Sequence, residues 1–213
     1  MPRSSTPKRA KPKSALAFTR KLLAWYARAA RDLPWRRTRD PYAIVVSEFM
    51  LQQTQVSRVT EYYPRFLARF PTVDDLARAK PKAVREAWNG LGYYARASNL
   101  HALACVVSRD LGGTLPDDPE ELLKLPGVGP YTAGAVATFA YEKAVPAVDT
   151  NVKRVLERVF RAKDVWGLAA AIVPGNGKRA WRFNQALMEL GALVCVARTP
   201  KCPECPVRRE CLS

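Results

Sequence analysis

Apolar residues recur at helical spacing along almost the whole chain, in short stretches separated by Gly- and Pro-bearing turns. That pattern predicts an all-α fold of many short helices. From about residue 15, Leu22, Leu23, Tyr26 and Ala27 mark one apolar face, and Leu33-Pro34-Trp35-Arg36 ends that helix. Ile44 to Gln55 reads as a largely buried helix. Val73 to Ala79 and Pro81 to Trp88 read as short ones, and Tyr94 to Leu111 as a longer one. Asp118-Pro119-Glu120-Glu121 carries a helix start, with Asp as cap, Pro at the first position and acids in the first turn, and this helix ends at Pro126. Thr132 to Ala140, Val152 to Ala162 and Phe183 to Val194 complete the set. The sequence has no alternating strand pattern and no repeat of solenoid period. Its 213 residues suffice for one large domain or two small ones.

Charge narrows the partners. The chain carries 35 Lys plus Arg against 19 Asp plus Glu, a formal +16. Such a balance suits a polyanion, and nucleic acid and an anionic membrane both fit. Residues 1–14 contain Arg3, Lys8, Arg9, Lys11 and Lys13 with no acid and three prolines, the composition of a disordered basic tail. Subtracting those five charges from +16 leaves +11, so the folded body is basic too. No apolar run approaches the ~20 residues that span a bilayer, and the first residues lack the apolar stretch of a secretion signal. A cytoplasmic, nucleoid-associated protein is expected, one that acts as a monomer. Its cysteines are then reduced or metal-bound rather than disulfide-paired.

Four of the five cysteines, Cys195, Cys202, Cys205 and Cys211, fall in 17 residues with the spacing C-x6-C-x2-C-x5-C. Four thiolates so placed suit either zinc or a cubane iron–sulfur cluster, and the asymmetric spacing favours the cluster over paired C-x2-C zinc sites. Lys201, Arg208 and Arg209 interleave with the ligands, so the loop either presents cations to phosphates or has a solvated basic rim. Cys105 lies in an apolar helical stretch and reads as a core thiol. His101, the sole histidine, reads as structural.

Three further stretches carry chemistry. Leu125-Pro126-Gly127-Val128-Gly129-Pro130-Tyr131 lies between helical segments. Two glycines around one apolar residue make a tight hairpin whose amides, at a helix start, can hold a phosphate whatever the base sequence. Gly127, Val128 and Gly129 are therefore candidate DNA-backbone contacts, as is Lys201. Asp149, in Pro146-Ala147-Val148-Asp149-Thr150-Asn151-Val152, reads by itself as a helix cap. Fixed at that helix start, its carboxylate could also face a positive charge developing on a sugar. Glu48 sits among apolar residues in Ala43-Ile44-Val45-Val46-Ser47-Glu48-Phe49-Met50-Leu51. Desolvation raises a carboxyl pKa, which suits a general acid. The amides and hydroxyl of Gln52-Gln53-Thr54-Gln55 follow, able to bond base edges or fill the gap left by a flipped nucleotide. Gly90-Leu91-Gly92-Tyr93-Tyr94 forms a second glycine turn tipped with aromatics, which could wedge a base step or pack in the core.

From about Leu33 to Cys211 the sequence resembles the helix–hairpin–helix DNA glycosylase superfamily, and within it the adenine DNA glycosylase (MutY) family. The likeness is carried by Leu33-Pro34-Trp35-Arg36, Ser47-Glu48 with Met50-Leu51-Gln52-Gln53-Thr54-Gln55, Gly90-Leu91-Gly92-Tyr93-Tyr94-Ala95-Arg96, and Asp149-Thr150-Asn151-Val152-Lys153-Arg154-Val155. The resemblance implies a six-helix barrel domain bearing the hairpin (39–141) and a cluster domain (142–213) packed with an N-terminal helix (15–38). One [4Fe-4S] cluster would be held by Cys195, Cys202, Cys205 and Cys211. It further implies that Glu48 protonates the departing adenine, that Asp149 stabilises the oxocarbenium-like sugar, that Tyr131 assists and that Asn151 orients Asp149 or the water. Trp35, Arg36 and Glu189 match positions lining the adenine pocket, while Gln53, Thr54, Leu91 and Tyr93 match positions that probe the opposite base and hold the duplex open. The implied reaction is hydrolytic removal of adenine opposite 8-oxoguanine or guanine in double-stranded DNA, with two carboxyl groups in different roles. Endonuclease III-like relatives carry a lysine where this chain has Tyr131, so no Schiff base and no strand cleavage are expected. A thymine or uracil mismatch glycosylase and a non-catalytic mismatch-binding protein are the alternatives, and a zinc-ribbon adaptor a third. Two features depart from the family pattern: Thr150 stands where many members have glycine, and the sequence ends two residues after Cys211, where members continue into a domain that helps recognise 8-oxoguanine.

Overall fold

The structure, a computed structural model, describes residues 13–213; the basic segment expected at the N-terminus falls, before Lys13, outside the described residues. Eleven α-helices follow in order: α1 (Lys13–Ala29), α2 (Pro41–Leu51), α3 (Val56–Arg69), α4 (Val73–Arg78), α5 (Pro81–Ala87), α6 (Ala95–Asp110), α7 (Pro119–Leu122), α8 (Pro130–Tyr141), α9 (Thr150–Phe160), α10 (Val165–Ile172) and α11 (Gly177–Leu193). Short 3-10 turns lie at Pro34–Arg36, Cys202–Glu204 and Arg208–Glu210, and no strand occurs among the described residues. No described helix is long and apolar enough to cross a membrane.

Polar side chains start many of these helices. Asp40, Asp118, Asp149, Asp164 and Asn176 each cap the helix that follows by accepting a backbone N–H, and Thr72 with Asp75 forms a reciprocal capping box at α4. Pro stands at the first or second position of α2, α5, α7 and α8, where its missing N–H costs nothing.

The chain divides into two compact units. One is the continuous segment Arg31–Lys143. At its centre α2 is buried on almost every side, from Tyr42 to Met50, and α8 likewise from Thr132 to Phe139. Phe66 packs edge-on to both Phe70 and Trp88, at centroid distances of 5.0 and 5.8 Å. The other unit joins Met1–Ala30 to Ala144–Ser213. Phe18, Leu22 and Tyr26 of α1 share its core with Val152, Val155 and Leu156 of α9, Ile172 of α10, and Phe183, Leu187 and Leu190 of α11.

Sequence and structure part at a few elements. The buried helix expected to reach Gln55 stops at Leu51, because Gln52 turns extended (ψ 113°) and Gln53 is left-handed (φ 57°). α3 was not expected, and it carries Pro64 inside; a strongly amphipathic face, with Val59, Tyr63 and Phe66 buried, keeps the helix intact. α10 also escaped the pattern, being apolar all round rather than periodic. α11 begins at Gly177, a turn and a half before the expected Phe183, because Asn176 caps it there. Cys105, expected in the core, is only half-buried; its Sγ lies 3.6 Å from the Ala77 carbonyl and 3.9 Å from Nε2 of His101 one turn away.

Candidate active site

Each unit carries a part of the expected site. In the 31–143 unit, Glu48 faces inward from α2 with 4% of its surface exposed. The hydroxyl of Tyr131, the second residue of α8, donates to Glu48 Oε2 at 2.6 Å. A carboxyl this buried is costly unless hydrogen-bonded, and the phenol supplies that bond. Helices α2 and α8 pack together and so fix the pair.

The hairpin before α8 is built as the glycines suggest. Gly127 is left-handed (φ 74°), and a Cβ there would come within 2.7 Å of Asn99 Cβ and 2.9 Å of Phe49 Cε1. Val128 is buried, and its N–H closes the turn onto Leu125 O at 3.2 Å. The amides of Gly127 and Gly129 have no acceptor among the described residues, and a Cβ on Gly129 would meet only open space. Two of the three expected backbone donors are thus free, while Val128 serves the turn itself.

Gln53 and Tyr93 are exposed; Leu91, by contrast, is buried at 5% exposure and Thr54 is half-buried. Of the residues expected to meet the opposite base, the structure therefore presents Gln53 and the 62%-exposed Tyr93 at the surface, and uses Leu91 in the core. Between their two turns lies Arg96, which the sequence reading passed over. Its Nη1 donates to the carbonyls of Phe49, Met50 and Gln52, and its Nη2 to Thr54 Oγ1 and the carbonyls of Leu91 and Gly92. Its guanidinium also lies 5.5 Å from the ring centres of Trp88 and Tyr93. Burial pulls its pKa below the usual arginine range, with the charge of Tyr93 acting the other way. Trp35 is buried edge-on to Tyr63 at 5.6 Å, and Arg36 donates to the Arg31 carbonyl at 2.9 Å.

In the other unit, Asp149 caps its helix as its position suggested. One carboxylate oxygen caps α9 by accepting Val152 N–H at 2.7 Å, and the other accepts Asn151 Nδ2 at 2.8 Å. Asn151 Oδ1 in turn accepts Arg154 Nη2 at 2.7 Å, and Arg154 also donates to the carbonyls of Cys195 and Gly191, each at 2.8 Å. Gly191 allows this approach: a Cβ there would sit 2.6 Å from Asn151 Cβ. Glu189, on the same helix, is fully buried.

Cys195, Cys202, Cys205 and Cys211 line one cavity of about 170 Å³, together with the apolar Val159, Leu190, Val194, Pro200 and Val207 and the polar Arg158, Lys201 and Ser213. Among the described residues no three His, Cys, Asp or Glu side chains close on a single-ion site. Burial raises the pKa of the Cys205 thiol, and charge on the other three would raise it further. A bound cationic centre reverses that effect. Arg158 braces the loop, with Nη1 3.5 Å from Cys195 Sγ and 2.8 Å from Val196 O, and Nη2 2.9 Å from Ala197 O. Lys21 of α1 pairs with Glu210 at 2.6 Å. Lys201 is exposed.

Known proteins resemble this arrangement closely. The model of the HhH-GPD superfamily of base excision DNA repair proteins matches residues 46–166. The adenine DNA glycosylase of Mycobacterium tuberculosis (strain CDC 1551 / Oshkosh) is 48% identical over 196 residues, covering 87% of this chain and 64% of the relative. That of Rattus norvegicus is 45% identical over 214 residues, covering 92% and 41%. The chain thus spans less than two thirds of these curated relatives. Among solved structures, a thermostable thymine-DNA glycosylase superposes with a TM-score of 0.88 at 34% identity, covering 94% of this chain and 96% of that one. An endonuclease III–DNA covalent intermediate shares the fold at a TM-score of 0.81 and 24% identity, covering 95% and 97%. With its all-α architecture, its glycine hairpin and these matches, the chain belongs to the HhH-GPD superfamily of base excision DNA repair proteins.

Proposed function

We propose that this chain hydrolyses the N-glycosidic bond of adenine mispaired with 8-oxoguanine or guanine in double-stranded DNA, without cutting the strand. The observation that carries the reading is the buried Glu48 carboxyl held by Tyr131 at 2.6 Å. A desolvated, oriented acid is what a departing purine requires, since the base leaves with the bonding electron pair and must gain a proton. Glu48 gives that proton. Asp149 faces the cationic sugar left behind, and the 2.8 Å bond from Asn151 keeps its free oxygen oriented. Water then adds to the sugar carbon, and its proton returns to the carboxylates. Tyr131 has no amine with which to form an imine, so the reaction ends at the abasic sugar. Adenine DNA glycosylases at 45–48% identity among the relatives support adenine as the base.

On the same reading the hairpin amides of Gly127 and Gly129 take a DNA phosphate, aided by Lys201. Trp35, Arg36 and Glu189 line the adenine pocket, and Gln53, Thr54 and Tyr93 address the opposite base, with Leu91 packed beneath the wedge. Residues 39–141 form the barrel domain, and 15–38 with 142–213 form the cluster domain. The cysteine set suits one [4Fe-4S] cluster: four thiols line a single cavity with several apolar walls. When bound, the cluster supplies four metal–thiolate bonds that fasten the C-terminal loop. We place the protein in the cytoplasm, on the nucleoid.

A thymine or uracil mismatch glycosylase is the second reading, favoured by the 0.88 superposition on a thymine-DNA glycosylase. Single-turnover base release from duplexes pairing A with 8-oxoguanine, A with G, T with G and U with G separates the two. Release of adenine is expected; release of T but not A would replace the first reading with the second. Release of nothing, with tight mismatch binding, would leave a binding protein.

A further inference from the structure

Two turns in the 31–143 unit hold a non-glycine residue in the left-handed conformation, Gln53 at φ 57° and Tyr93 at φ 48°. The other two such residues among those described, Glu142 and Arg161, merely end helices α8 and α9. Side chains seldom adopt this conformation, and something must hold it. In both turns the peptide directly before the left-handed residue gives its carbonyl to Arg96: Gln52 O ahead of Gln53, and Gly92 O, at 3.2 Å, ahead of Tyr93. Orienting that peptide group fixes the φ of the residue that follows. Trp88 Nε1 adds a second donor to Gly92 O at 3.2 Å.

The site gives Arg96 no carboxylate: its partners are carbonyls and one hydroxyl, and its Nε is buried with none. Burying an arginine this way is unfavourable for stability alone. A guanidinium nonetheless offers two terminal nitrogens in a rigid plane, and here the two divide the work: Nη1 gathers the end of α2, while Nη2 bridges Thr54 and the glycine turn. Lysine, with one nitrogen, cannot reproduce this.

We infer that Arg96 is a positioning residue for DNA interrogation, locking two turns into one rigid two-pronged element whose exposed tips are Gln53 and Tyr93. The inference rests on the proposed DNA-directed reading of those tips, but not on which base is excised. It predicts that the prongs open the duplex only while Arg96 holds them together.

The test places 2-aminopurine beside the 8-oxoguanine that faces the target adenine and measures its fluorescence at saturating protein, alongside single-turnover release. Wild-type protein is expected to raise the fluorescence. Arg96→Lys is expected to bind and melt much as wild type, but with the opening equilibrium reduced about tenfold, the scale of one or two charge-assisted hydrogen bonds. Gln53→Ala with Tyr93→Ala is expected to cause a similar loss, to which Arg96→Lys adds nothing further. Release from a duplex whose adenine faces an abasic gap, where no partner needs displacing, should change little in Arg96→Lys. An unaltered fluorescence rise, full additivity, or equal slowing on both duplexes would overturn the inference. A normal rise without adenine release would remove the adenine reading and leave Arg96 standing. If Arg96→Lys fails to fold, Arg96→Gln, which drops the buried charge and keeps one planar donor, is expected to show the same selective loss, and an unchanged rise in that variant overturns the inference as well.

Discussion

Glu48 and Tyr131 stand 83 residues apart and meet at 2.6 Å. An acid among apolar neighbours is visible in the sequence because nothing else in Ile44–Met50 except Ser47 is polar. Its partner is not visible, since no local periodicity reports a contact across two helices. Glu48→Gln keeps the volume and removes the transferable proton, so base release is expected to fall by about 10²–10⁴-fold while mismatch binding persists; normal release in a single-turnover assay would sink the mechanism. Tyr131→Phe removes only the hydrogen bond and is expected to slow release about tenfold. Asp149→Asn keeps the helix cap but loses the charge, and the same assay should show release abolished with the fold intact. Arg96 was illegible for a different reason. An arginine beside Tyr94 and Ala95 reads as a surface cation, and only tertiary structure reveals six acceptors around it.

At the scale of the element, the sequence disclosed helices wherever apolar spacing and caps agreed, and failed where one contradicted the other. α3 carries Pro64 inside, and α10 is uniformly apolar. The crossing of α9 and α11 depends on Gly191 having no side chain. Gly191→Ala would push against Asn151 and is expected to cost about 1–3 kcal/mol, read as a lower melting temperature. Burial in α2 and α3 also sets an alkaline limit. Burial, then the nearby Asp40, raises the Tyr63 phenol to about 12, and burial raises Tyr42 further. Both phenols ionise more readily in the unfolded chain, near pH 10. Their contribution is therefore intact below that value and lost as pH rises towards the folded pKa. Stability measured by denaturant titration should fall between about pH 10 and 12, and Tyr63→Phe should make that fall shallower.

At the scale of the whole chain, the +16 charge and the cysteine spacing were legible at once, because composition and short motifs need no tertiary context. Affinity for duplex DNA is expected to drop steeply with salt, in a log–log plot whose slope counts the phosphates neutralised; a flat plot would contradict a charge-driven encounter. If the proposed cluster is held, Cys205→Ser is expected to bleach the visible absorbance of its thiolate–iron bonds and lower the melting temperature, whereas a protein colourless from the start would point to zinc. The unit that holds the cysteines is discontinuous, joining Met1–Ala30 to Ala144–Ser213 around an uninterrupted Arg31–Lys143. During synthesis, then, α1 leaves the ribosome long before the partners of Phe18, Leu22 and Tyr26 exist. The inserted segment emerges complete and can collapse first. For more than a hundred residues of translation α1 must wait with its apolar face uncovered, and the last walls of the cysteine cavity are made together with the cysteines themselves. The discontinuous unit can therefore close only at the end of synthesis, when the segment after Ala144 meets the helix that was made first.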